Sequence, residues 1–61
     1  MPEVIIEMAQ GRNVDQKRAL VQGITRVMTE TLSVEADEVT VIIHENPRTD
    51  KAKGGVLFSE R

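Results

Sequence analysis

The chain has 61 residues, no cysteine, eight basic against ten acidic side chains, and Phe58 as its only aromatic residue. A slightly acidic surface with one ring offers neither the positive field nor the stacking platform that nucleic acid requires, which excludes that partner. The longest apolar runs, Val4–Ile6 and Val41–Ile43, are too short to span a bilayer or form a signal-peptide core. No membrane partner is therefore expected, and a cytoplasmic location is, with which the absence of cysteine is compatible.

The length implies a single domain, residues 1–61, and a domain of this size buries only about 60% of its unfolded surface. Ordering it costs on the order of 90 kcal/mol of conformational entropy, which so small a core barely offsets. With no cysteine for a disulfide and no Cys/His cluster for a structural metal, oligomerisation is the remaining remedy.

From Pro2 to Met8 the residues alternate as in a strand, with Val4, Ile6 and Met8 on one face and Glu3, Ile5 and Glu7 on the other. Ile5 makes the second face partly apolar, so covering is expected on both faces, by the chain's own helix and by another subunit. Pro2 opens the strand, where a missing N–H costs nothing. Once Met1 is removed, Pro2 also carries a free secondary amine, the one unusual reagent in the sequence.

Ala9 to Arg12 break the alternation. Asn13 is a good helix cap, with Gln16 three residues on as its capping-box partner. The spacing of Leu20, Ile24, Val27, Met28 and Leu32, with Ala19 beside them, predicts an amphipathic helix from about Val14 to about Leu32. Gly23 inside it costs up to about 1 kcal/mol relative to alanine and marks either a close backbone approach or a weak spot.

Ser33–Glu38 is a polar connection in which Ser33 is able to cap a turn, and Val39–Glu45 reads as a second strand. Strand, long helix and strand make a βαβ unit, whose strands lie parallel with a right-handed crossover. Two strands and one helix are too few for independent stability, so the missing strands are expected from another chain. Asn46-Pro47 ends the second strand and residues 48–53 are polar. Gly54-Gly55 is a hairpin turn, and Val56–Phe58 forms an arm reaching onto a neighbouring subunit.

Arg12 is the second candidate for chemistry. A cation beside a helix N-terminus is misplaced by about 0.3–1 kcal/mol unless an anion joins it, when free N–H groups and the guanidinium converge on one carboxylate. His44, the lone histidine, has no partners for a metal site or a nucleophilic triad and reads as an outward strand residue. Glu3, Glu7, Glu45 and Asp50 show no spacing that singles out an acid–base pair.

Met1-Pro2 before an apolar strand, Gly11-Arg12, Asp15-Gln16-Lys17-Arg18 opening a helix, Val39–Ile43 and Gly54-Gly55 together resemble the 4-oxalocrotonate tautomerase family over the whole chain. The resemblance implies an α+β βαβ fold of the 4-oxalocrotonate tautomerase/MIF-like kind. Its sheet would be completed by dimerisation, and six chains would assemble as a trimer of dimers. It further implies an enol–keto tautomerase that uses no metal or cofactor. In such an enzyme the amine of Pro2, with a reference pKa of about 7.7–8.0 that neighbouring cations or burial would lower, moves a proton within a small unsaturated 2-hydroxy or 2-oxo acid. Dienols of the 2-hydroxymuconate type and arylenolpyruvates are the expected substrates, with Arg12 from a neighbouring subunit binding a carboxylate.

This chain departs from the family pattern at two positions. Thr40 stands where a second arginine is common, and Lys51 where an aromatic wall is common. Arg48 or Lys51 is the candidate replacement for the missing cation, so the expected binding residues are Arg12, Thr40, Arg48 and Lys51. The same departures raise the alternative of an accessory subunit lending Arg12 to a related partner in a mixed hexamer. Hydration or dehalogenation of unsaturated acids is less favoured, because the C-terminal loop supplies Lys53 and only Asp50 as a carboxylate to activate water.

Overall fold

In the computed structural model, which describes residues 1–61, strand β1 (Glu3–Ala9) pairs in parallel with strand β2 (Thr40–Asn46). The register runs from Glu3 opposite Thr40 to Ala9 opposite Asn46. Helix α1 (Val14–Leu32) makes the crossover between them. Both strands begin and end one residue later than the sequence pattern predicts, because hydrogen bonds rather than propensities set the ends of a ladder. Pro2 has no N–H to give and enters only through its carbonyl, which accepts from Thr40 N at 3.1 Å. The Val39 N–H turns back to Ala36 O at 3.2 Å, closing the 3-10 turn Ala36–Glu38. At the far end Gln10 N donates to Asn46 O at 3.1 Å and extends the ladder by a residue.

The predicted limits of α1 are those observed. Asn13 accepts from Gln16 N at 2.8 Å while its own N–H donates to Gln16 Oε1 at 3.1 Å, a reciprocal capping box that satisfies two backbone donors. Ser33, expected to cap a turn, ends the helix in the left-handed region (φ 57°, ψ 42°), its N–H donating to Thr29 O at 3.1 Å.

After the Arg48–Asp50 turn, strands β3 (Ala52–Lys53) and β4 (Val56–Leu57) form an antiparallel hairpin. Gly54 and Gly55, at φ 61° and 82°, make the two-residue loop whose twist suits adjoining strands and which needs positive φ at both positions. A short turn, Phe58–Glu60, follows.

Val4, Ile6 and Met8 of β1 are half-buried, whereas Ile5 on the opposite face is 57% exposed. The apolar stripe of α1 is wider than the two-stranded sheet beneath it: Ile24 and Met28 are half-covered, but Val27 and Leu32 stay 58% and 51% exposed. None of the 61 residues is fully buried. The radius of gyration is 14.6 Å, against about 10.5 Å for a self-contained globule of this length. The chain alone thus supplies half-built layers: a βαβ unit with apolar surface left open on the helix and on the outer sheet face.

Candidate active site

Pro2 and Thr40 lie together at the N-terminal ends of the two parallel strands, joined by the Thr40 N–H to Pro2 O bond of 3.1 Å. Pro2 is half-buried, while Met1 beyond it is 92% exposed. With Met1 attached the Pro2 nitrogen is a tertiary amide, without a proton to exchange or a basic lone pair. With Met1 gone it is a secondary amine at the open end of the sheet. Neither β1 nor β2 carries a lysine or arginine, so the chain's own strands bring no cation to this end.

Arg12 sits at the other end. It follows Gly11, whose φ of 134° turns the chain out of β1, and precedes the Asn13 cap of α1, with its side chain exposed. The seven residues of β1 span about 23 Å at 3.3 Å each. Pro2 and Arg12 are therefore not brought together within one protomer. Arg48, in the turn after β2, also belongs to the Arg12 end, because the bond from Gln10 N to Asn46 O aligns the exits of both strands.

Lys51 enters the hairpin just before β3. Its Nζ lies 5.4 Å from the centroid of the Phe58 ring, and Arg61 Cζ lies 5.6 Å from the same centroid. Phe58 N donates to Lys51 O at 2.8 Å. The sequence reading does not pair these residues, although a signal exists: with a two-residue loop at Gly54-Gly55, Lys53 opposes Val56, Ala52 opposes Leu57, and Lys51 falls against Phe58.

Three ion pairs form in the protomer, and none uses Arg12, Arg48, Lys51 or Arg61. They are Lys17 Nζ to Glu45 Oε1 at 2.5 Å, Arg18 to Asp15 at 2.8 Å, and His44 Nδ1 to Glu7 Oε1 at 3.8 Å, the last ionic only when the histidine is protonated. Two of the carboxylates considered for acid–base work are thus engaged: Glu45 closes Lys17 onto the sheet, and Glu7 faces His44 and Asn46 on the open sheet face. The cleft between β1 and α1, about 480 Å³ and lined by Val4, Leu20, Gly23, Ile24, Val27 and Met28, contains no titratable side chain. It can bury apolar surface but cannot move a proton.

A family model described as "Tautomerase enzyme" matches residues 2–61. A probable tautomerase of Bradyrhizobium diazoefficiens is 43% identical over 61 residues, covering 100% of this chain and 91% of that protein. Among solved structures, a 4-oxalocrotonate tautomerase homologue superposes with a TM-score of 0.94 at 36% identity, covering 100% of this chain and 97% of the other. A heterohexameric 4-oxalocrotonate tautomerase of Chloroflexus aurantiacus gives 0.90 at 32% identity, covering 98% and 97%.

Proposed function

Because the chain belongs to the tautomerase family, we propose that it is an enol–keto tautomerase in which the amine of Pro2, freed by removal of Met1, is the general base. The observation that carries the reading is the extent of the family match, from Pro2 to the last residue, with the proline as its first position. The substrate class is a small unsaturated 2-hydroxy acid, such as a 2-hydroxymuconate-type dienol or an arylenolpyruvate. The Pro2 nitrogen takes the enol hydroxyl proton. The electron pair of that O–H bond becomes the carbonyl π bond, the conjugated double bonds shift, and the protonated amine returns a proton to carbon. Proline and protein end as they began.

Arg12 holds a substrate carboxylate. Thr40, adjacent to Pro2, offers its hydroxyl to the oxygen that changes from enol to ketone. Arg48 and Lys51 supply positive charge that the strands lack. Since Pro2 and Arg12 lie at opposite ends of β1, a strand about 23 Å long, a working pocket combines these residues from different protomers. The uncovered helix stripe and sheet face give the same requirement from the side of stability. Both are met by a homo-oligomer, for which we propose a hexamer built as a trimer of dimers. No helix is long and apolar enough to cross a membrane, in keeping with a proposed cytoplasmic location.

Replacement of Pro2 by alanine is expected to lower kcat/KM for 2-hydroxymuconate by about 10²–10⁴; turnover equal to wild type would refute the reading. In Met-free protein, kcat/KM should rise with pH through the titration of the amine and then level off, since only the unprotonated nitrogen accepts the enol proton. Arg12→Ala should raise KM for carboxylate substrates more than it lowers kcat.

Thr40 in a position where an arginine is common favours one second reading. In a mixed hexamer the partner chain would bring the missing arginine and this chain would lend Arg12. A purified homo-oligomer that ketonises 2-hydroxymuconate would exclude that as its sole role.

A further inference from the structure

Lys51 and Arg61 both stand over the Phe58 ring, at 5.4 and 5.6 Å from its centroid. The main chain fixes one half of this arrangement, through the 2.8 Å bond from Phe58 N to Lys51 O beside the β3–β4 ladder. The face of an aromatic ring attracts cations at this range without neutralising them. Neither cation is paired with a carboxylate, although Asp50 and Glu60 are their neighbours in sequence. Residues 47–61 carry four basic and two acidic side chains in a chain of formal net charge −2. Two like charges thus each lie within about 6 Å of one uncharged, half-buried ring, and an incoming anion would be attracted to both.

We propose that Phe58, Lys51 and Arg61 form an anion-recognition unit in which the two cations bind a ligand carboxylate and Phe58 is the positioning residue that holds them. Its assignment to substrate binding rests on the tautomerase reading. The chain would then possess two separate carboxylate holders, Arg12 and this unit, and would distinguish ligands by whether they bear a second carboxylate. It also gives the departure at Lys51 a structural meaning. Lys51 stands where the family pattern commonly has a ring, and Phe58 places one across the hairpin from it.

The test uses the full chain and two unreactive probes: trans,trans-muconate, a dicarboxylate lacking the enol hydroxyl, and sorbate, a monocarboxylate with the same trans,trans diene. Phe58 is the only phenyl ring in the sequence, so its NMR signals identify themselves. Muconate is expected to bind about tenfold more tightly than sorbate, as two partly exposed ion contacts allow, and to shift the Phe58 ring resonances. That preference should fall towards one in the Lys51→Gln/Arg61→Gln double variant and in Phe58→Leu, and should persist in Phe58→Tyr, which keeps the ring. Equal binding of the two probes by wild type overturns the proposal, as does a preference unchanged in the double variant, whose fold is checked by circular dichroism. Probe binding requires no proton transfer, so the two readings fail separately. A chain that prefers muconate but ketonises nothing refutes the tautomerase reading alone, and one that ketonises without preferring muconate refutes only the recognition unit.

Discussion

Pro2 combines a structural and a chemical qualification in one residue. Its missing N–H is harmless where the ladder needs only its carbonyl, and the same secondary nitrogen becomes a base when the peptide bond before it is gone. Thr40 is tied to it by the first bond of the ladder. Thr40→Val removes the hydroxyl while keeping the β-branched shape, and it should lower kcat about tenfold with little change in KM if that hydroxyl supports the developing ketone oxygen. A steady-state comparison on one substrate decides it. Ser33 is the only non-glycine residue with positive φ. Ser33→Gly should therefore stabilise the protein by about 0.5–1 kcal/mol in chemical denaturation, by removing the left-handed strain at the helix end.

At the level of elements, α1 is legible in the sequence to its terminal residues, because its capping box and its apolar period are local signals. The strand ends are displaced by one residue because they are set by particular hydrogen bonds, two to remote partners, Pro2 O to Thr40 and Gln10 to Asn46, and one, Val39 to Ala36, that closes the turn before β2. The Gly54-Gly55 hairpin is legible from its turn chemistry, whereas the Phe58 cluster is not, since cation–ring contacts follow from register and leave no period in the sequence. Pro2 and Arg12 stand out in the sequence as candidate reagents, but their separation along β1 emerges only from the topology. Gly23 lines the open cleft, and a Cβ added there meets nothing within 4 Å in the protomer. Gly23→Leu should raise helix propensity by up to about 1 kcal/mol and yet weaken assembly, if a second chain approaches the helix closely at this point. A midpoint of dissociation unmoved in sedimentation would place the contact elsewhere.

For the whole molecule, the absence of any fully buried residue and the radius of gyration of 14.6 Å describe a part rather than a finished globule. Apolar area of this kind is stabilising only when covered, at about 25 cal/mol per Å². Folding and assembly should therefore be one equilibrium, with a thermal midpoint that rises with protein concentration. A midpoint independent of concentration, together with a monomeric sedimentation mass, would contradict shared active sites. Such assembly would unite the two ends of β1 that one chain holds apart, and the pocket would exist only where neighbours meet.

The central claim is that a free Pro2 nitrogen does the chemistry. It is tested most directly by preparing the chain with and without Met1, verifying each by intact mass, and following ketonisation of 2-hydroxymuconate by both. The expected result is turnover in the Met-free protein and a loss of at least about 100-fold where Met1 is retained, with both preparations assembled to the same size. Equal rates from the two would show that the proline amine is not the base.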